Sequence, residues 1–379
     1  MNSLARAWLR ARPQLRALSC AADSPLRRLL RDASAHAESG AAAGAGELQW
    51  ATQAYASEPA PPRAEPPDAT VLLFPGQGAQ FVGMGRRLES TPAARELYEL
   101  ASSVVGWDVW RVCVSGPADE LERRCQTAVL VTALAALEHA RDLRPGAVER
   151  VRAAAGFSLG EIAALVFAGA LALPHALRLA ELRAAAMRAA AAARPGGMLT
   201  VWLAPGARPA ALLAAARARA ASPALPAPVC EVAAYLGPGC RVLAGDAAAL
   251  RAVEALGRAA GVRRSARVRV AGAFHCALMA SAEAAVREAL RALPLGAPRV
   301  RVLSCVDARG VRDAAGARRR LARLTAAPVR WEQTLHALYA RPRGAPQPLT
   351  LALGPGGALR STLKLVNARA WDASLQIDV

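Results

Sequence analysis

Residues 71–74 read VLLF and are followed at once by Pro75 and Gly76. Four apolar side chains in a row, with nothing polar at alternate positions, suit a strand buried on both faces. Such strands belong to parallel α/β sheets covered by helices, whose ligands gather beyond the carboxyl ends of the strands. A second, weaker strand over residues 153–156 runs into Gly156, Phe157, Ser158, Leu159, Gly160 and Glu161. Behind it Ile162, Leu165, Val166 and Gly169 recur at helical spacing. Ser158 therefore stands between a strand and a helix, the context in which G-x-S-x-G presents a nucleophile. The glycines permit a tight turn without Cβ clashes, and the helix start offers free N–H groups to developing negative charge. A buried or capping serine fits the same pentapeptide, so the pattern needs company.

The 379 residues are 54% hydrophobic, enough for one large core and a smaller appended domain. The formal charge is +19, which raises the question of nucleic acid. Two features argue against it. Lys364 is the only lysine and the arginines are scattered through alanine-rich helical stretches, while aromatics reach only 4%, too few for stacking platforms. The seven cysteines (Cys20, Cys113, Cys125, Cys230, Cys240, Cys276 and Cys305) form no C-x-x-C pair and no zinc-spaced set, so reduced core thiols and no metal site are expected. The best apolar run, Ile162 to Leu173, is too short to span a membrane.

The amino terminus differs in kind. It carries Arg6, Arg10, Arg12 and Arg16 with no acid before Asp23, and on a helix Leu4, Trp8, Ala11, Leu15 and Leu18 share one face. That is the profile of a mitochondrial transit peptide, although Pro13 interrupts the helix. A Gly/Ala-rich and then Pro-rich stretch follows, which cannot bury a core. The expected division is therefore leader and disordered linker over 1–66 and a first main-domain segment over 67–196. Residues 197–270 follow as a small subdomain, and 271–379 complete the main domain. Within 197–270, short strands (MLTVWLA, VCEVAAYL, CRVLAGD, RSARVRV) alternate with helices near 207–220 and 246–260, a β-α-β-β-α-β rhythm that suggests a ferredoxin-like unit.

A serine nucleophile needs a base. Of the five histidines, His36 falls in the linker and His139 and His336 sit in ordinary helical patterns. His175 opens a helix; His275 alone occupies a loop between a strand and a new helix. From spacing alone His275 suits a base or a structural histidine equally. Arg183 lies one helical turn from both Leu179 and Met187, on a semi-apolar face. It either grips a carboxylate through two hydrogen bonds or runs its stem along that face with its head in water.

Six blocks, FPGQGAQ, GFSLGE, LRAAAM, GAFHCALM, PVRWEQTLHALY and LGPGG, occur in the order seen in malonyl-CoA:acyl carrier protein transacylases. The chain resembles that family from about Val71 to Trp371, and with its basic leader resembles the mitochondrial form. The resemblance implies an α/β-hydrolase-like main domain with a parallel sheet, interrupted by a small ferredoxin-like α+β subdomain. It implies Ser158 as the acylated nucleophile, His275 as general base, and the main-chain N–H groups of Gln77 and Leu159 as oxyanion hole. Arg183 would hold the malonyl carboxylate and Phe274 would favour malonyl over methylmalonyl. Two positions depart from the family pattern. Phe157 replaces a histidine common before the serine, and Leu324 stands where a glutamine usually lends its backbone carbonyl to the histidine; a leucine keeps that carbonyl.

The implied reaction is ping-pong transfer of malonyl from malonyl-CoA to the phosphopantetheine thiol of acyl carrier protein, without metal or redox cofactor. The implied setting is the mitochondrial matrix, with the protein a monomer that binds no nucleic acid and has no membrane span. Because the base must be neutral, transfer is expected to rise with pH through about 6 to 7. A serine thioesterase, or a silent arginine-rich RNA-binding protein, would fit part of the same sequence.

Overall fold

A computed structural model describes residues 69–342 and 344–379. The basic leader and linker expected over 1–66 lie outside the described residues, as does Cys20.

The apolar run forms β1 (Thr70–Phe74), every residue of which is buried. It is the middle strand of a five-stranded sheet of order β7-β2-β1-β8-β9, in which every pairing is parallel. The other strands are β2 (Val151–Gly156), β7 (Arg301–Leu303), β8 (Leu349–Leu353) and β9 (Ser374–Ile377). Alternation along β1 explains why no polar residue is tolerated there. Leu72 and Phe74 face one apolar core, whereas Val71 and Leu73 face another. The first core is filled largely by α1 (Cys125–Leu143), an almost wholly buried helix. The second holds Met187, Trp331 and Leu335. Next in chain order come α2 (Gly160–Phe167) and α3 (Leu173–Ala193).

Between α3 and the return to the main sheet lies a second, antiparallel sheet. Its strands are β3 (Gly196–Leu203), β4 (Cys230–Gly237), β5 (Cys240–Asp246) and β6 (Val262–Val268), in order β4-β5-β3-β6. With α4 (Pro209–Ala220) and α5 (Ala247–Leu256) this makes the β-α-β-β-α-β unit read from the sequence. One face packs Leu199, Val201 and Leu243 against those helices, burying Leu212, Leu250 and Val253. The opposite face turns Met198, Val242 and Ala244 into the second core of the main domain. The attachment is reinforced where Val329 exchanges backbone hydrogen bonds with Ala233 and Tyr235. Nearby, buried Arg241 and Glu332 stand 3.0 Å apart, charge against charge though not aligned as a hydrogen bond. Glu332 belongs to α6 (Trp331–Leu338), and α7 (Ala358–Val366) follows β8.

The architecture is the expected one: an α/β-hydrolase-like domain with a parallel sheet, interrupted by a ferredoxin-like α+β unit. β9, a four-residue edge strand of mixed polarity, is absent from the sequence reading. The six described cysteines are buried free thiols. Among the described residues no helix is long and apolar enough to cross a membrane, and no His/Cys/Asp/Glu group could hold a metal ion.

Candidate active site

The carboxyl ends of β1, β2 and β8 converge on one edge of the main sheet, and each delivers a turn. After β2 the chain bends at Ser158, whose φ of 53° is left-handed, a strained conformation for a residue with a side chain. The flanking glycines are sterically required. A Cβ on Gly156 would lie 1.9 Å from the Gly160 carbonyl carbon, and one on Gly160 would lie 2.3 Å from the Phe74 oxygen. α2 begins at Gly160, so the Leu159 amide sits at its amino-terminal end.

His275 is also left-handed, with φ 61°, and its Nε2 lies 2.8 Å from Ser158 Oγ. Its Nδ1 lies 2.7 Å from the carbonyl oxygen of Leu324. A carbonyl only accepts, so Nδ1 carries the proton and Nε2 is left to accept from the serine hydroxyl. Leu324 therefore supplies the backbone contact expected of a glutamine, because the contact never involved the side chain. Its own side chain is buried in the second core.

Arg183 reaches the same point from α3. Its Nη2 donates to Ser158 Oγ at 3.0 Å and its Nη1 donates to Gln126 Oε1 at 2.7 Å. The side chain is only 4% exposed, and among the described residues no acidic group pairs with it. The snorkelling alternative is thereby excluded, since the head is buried rather than in water. Burial lowers the guanidinium to about 10. Burial, and next the Arg183 cation, lower His275 to about 3, against the opposing effect of the hydrogen bond that Nδ1 donates to the Leu324 carbonyl. This corrects the expected titration between pH 6 and 7: the imidazole is already neutral well below that range.

Gln77 and Phe274 line a cavity of about 430 Å³ shared with Ser158, Arg183 and His275. The amides of Gln77 and Leu159 donate to no acceptor among the described residues. Phe157 lines the cavity too, edge-on to Trp331 at 5.6 Å, so the residue in the histidine position is held by apolar packing.

Sequence reasoning missed two residues. Gln126 donates through Nε2 to Gln77 Oε1 at 3.0 Å while accepting from Arg183, and so ties the β1 turn to the arginine. Its signal was a lone amide opening a helix whose residues 127–137 hold nothing more polar than threonine. Glu161 is fully buried behind the elbow and accepts from the Cys305 amide at 2.9 Å; burial pushes its carboxyl up to about 7. Acids in a first helical turn are routine, which hid it.

A hydroxyl hydrogen-bonded to a neutral imidazole, at a glycine-framed elbow beside two free amides, can form an ester with an acyl group. That chemistry on this fold defines the class: a serine-dependent acyl-transfer enzyme. The family model described as "Acyl transferase domain" matches residues 71–344. The chain is 42% identical over 353 residues to a Homo sapiens protein named malonyl-CoA-acyl carrier protein transacylase, mitochondrial, covering 93% of this chain and 86% of that one. An acyl-carrier-protein S-malonyltransferase from Burkholderia pseudomallei superposes with a TM-score of 0.73 at 29% identity, over 82% of this chain and 96% of that one. A malonyl-transacylase in complex with its type II PKS acyl carrier protein superposes with a TM-score of 0.71 at 29% identity, over 79% of this chain and 94% of that one. The chain belongs to the malonyl-CoA-acyl carrier protein transacylase family of acyltransferases.

Proposed function

We propose that the protein moves a malonyl group from malonyl-CoA to the phosphopantetheine thiol of an acyl carrier protein, through a malonyl ester on Ser158. His275 takes the hydroxyl proton as Oγ attacks the thioester carbonyl. When the C–S bond breaks, the imidazolium returns the proton to the CoA thiolate. In the second half-reaction His275 deprotonates the incoming thiol, whose sulfur attacks the ester carbonyl; as the C–O bond breaks, the imidazolium returns the proton to the departing Oγ. The amides of Gln77 and Leu159 receive the oxyanion in both halves, at about 3 kcal/mol each. The Leu324 carbonyl holds the imidazole, and Phe274 walls the acyl pocket. Arg183 grips the free carboxylate; each terminal nitrogen keeps a second hydrogen after serving Ser158 and Gln126.

The observation that carries this reading is Arg183: a buried cation with no acidic partner among the described residues, 3.0 Å from the serine oxygen. A buried charge is strongly unfavourable until paired, and a carboxylate on the acyl group supplies the pair. The partner is taken to be an acyl carrier protein, as in the complexed relative. The setting is taken to be mitochondrial, as in the human relative's name, and the matrix in particular. No metal or redox cofactor enters the steps. The same reading divides the chain into leader and linker (1–66), two main-domain segments (67–196 and 271–379) and the ferredoxin-like unit (197–270), acting as a monomer. Mass spectrometry after brief exposure to malonyl-CoA tests it: a malonyl adduct on Ser158 is expected, discharged by holo acyl carrier protein. An unmodified serine, or release as free malonate with the carrier present, overturns it.

A further inference from the structure

Leu324, whose carbonyl holds His275, begins a short stretch that runs to Trp331 at the head of α6. Both ends of it touch the reacting groups. Leu324 accepts from His275 Nδ1 at 2.7 Å, and Trp331 packs edge-on against Phe157, the residue before Ser158. Residues 324–330 form neither helix nor strand, so their path is set by what they are tied to. The Arg330 amide donates to the Cys305 carbonyl at 2.7 Å, just past β7 of the main sheet. The ferredoxin-like unit holds the same stretch from the other side. Val329 donates to Ala233 at 2.8 Å and accepts from the Tyr235 amide at 2.9 Å, both on β4. Beside Trp331, Glu332 faces Arg241 of β5 at 3.0 Å, the two side chains 4% and 3% exposed. Arg241 is itself fixed: Nη1 donates to the Gly237 and Cys240 carbonyls, and the guanidinium lies 4.9 Å from the Tyr235 ring centroid.

A buried ion pair gains little stability over apolar side chains of similar volume, because desolvation offsets the attraction. What it adds is a preferred geometry, and here that geometry joins two parts of the molecule. Neither Arg241 nor Glu332 lines the cavity, whereas Ala234, Leu236 and Val242 beside them do. We propose that Arg241 is a positioning residue for acyl transfer: through Glu332 it fixes residues 324–332, and so holds the Leu324 carbonyl against His275. The unit that walls the cavity thereby also aims the base. The proposal rests on reading Ser158 and His275 as the transfer pair.

Two measurements on the full chain test it. One is the single-turnover acylation of Ser158 by malonyl-CoA. The other is the proton resonance of the His275 Nδ1–H in ¹⁵N-histidine-labelled protein, assigned by its absence from His275→Gln. Arg241→Met should lower the acylation rate constant at saturation about tenfold or more, since small misplacements of a base are costly. The half-saturating malonyl-CoA concentration should stay within about twofold. The Nδ1–H resonance should shift or be lost to exchange. Arg241→Lys, which keeps a cation opposite Glu332, should restore most of the rate. Val253→Ala opens the helix-covered core of the same unit and should lower Tm while leaving rate and resonance unchanged. An unmoved resonance in Arg241→Met overturns the proposal, as does undiminished acylation. So does an equal effect of Val253→Ala, which would show general loosening. Should Arg241→Met fail to fold, Arg241→Met/Glu332→Gln, which leaves neither charge of the pair, decides by the same readouts. If malonyl-CoA does not acylate the unmutated protein, the transferase reading falls while the resonance still reports whether Arg241 holds the imidazole.

Discussion

Replacing Arg183 with methionine should make the free protein no less stable and the enzyme much worse at one substrate. A guanidinium lowered to about 10 has lost roughly two and a half decades of proton affinity, or about 3 kcal/mol of buried-charge cost. Methionine removes that cost and fills much of the volume. It leaves Gln126 Oε1 without its donor, worth about 1–3 kcal/mol, whereas Ser158 keeps its bond to His275. The sum lies between neutral and a gain of about 2 kcal/mol, a rise of up to about 8 °C in Tm. Malonyl transfer loses two charge-assisted hydrogen bonds, together at least about 3 kcal/mol, so kcat/KM should fall about 100-fold or more. Acetyl transfer, with no carboxylate to lose, should stay within about tenfold. Thermal melts and paired assays with malonyl- and acetyl-CoA read both effects. A stability loss above about 3 kcal/mol would mean the cation is compensated inside the fold; equal loss of both transfers would remove its selective role.

The pH profile of kcat/KM should be flat between about 6 and 7, because His275 is neutral down to about 3. The unfolded chain takes that proton near about 6.5, so this group's stability contribution rises with pH from about 3 and is complete above about 6.5; a kinetic limb near 6.5 would contradict the burial. Glu161 acts in the opposite direction: its native carboxyl, at about 7, keeps a proton the unfolded chain releases near about 4.3, so stability is lost across that window, on the order of 3 kcal/mol. Glu161→Gln should flatten that loss in urea melts at pH 5 and 8 (roughly the window's ends), and an unchanged difference would refute it. Gly160→Ala should cost about 3 kcal/mol or more, since the contact 2.3 Å away is backbone and cannot turn aside; a soluble variant of near-normal Tm would show that the elbow yields. Ser158→Gly should be about 1 kcal/mol more stable than Ser158→Ala, because only alanine keeps the strain at φ 53°; equal stabilities would mean the bend is unstrained.

What the sequence disclosed follows from which interactions are local. β1 and the elbow were readable because buried strands and glycine-framed turns constrain neighbouring residues. The ferredoxin-like rhythm was readable because each element carries its own period. The site was not assembled by such signals: Ser158, Arg183, His275 and Leu324 come from four separate segments, and spacing left His275 and Arg183 ambiguous. Only the ordered blocks shared with a family joined them. Gln126 and Glu161 escaped because each is defined by a partner far along the chain, Gln77 or Arg183 in one case and Cys305 in the other. The titration of His275 was misjudged for the same reason. Burial and the charge of Arg183 set it, and neither is a property of the loop that carries the histidine.

On the proposed roles, that last coupling gives the site its logic. The cation that selects the substrate also depresses the base, so with Arg183 unpaired His275 is neutral but a poor proton acceptor. A carboxylate docked on the guanidinium cancels the charge acting on the imidazole while leaving its burial and its bond to Leu324 in place. The base therefore strengthens when an acyl group with a free carboxylate arrives, and an acetyl group cannot produce that effect. Selectivity would then appear in the acylation rate as well as in binding, because binding energy at the remote carboxylate is converted into reactivity at Ser158.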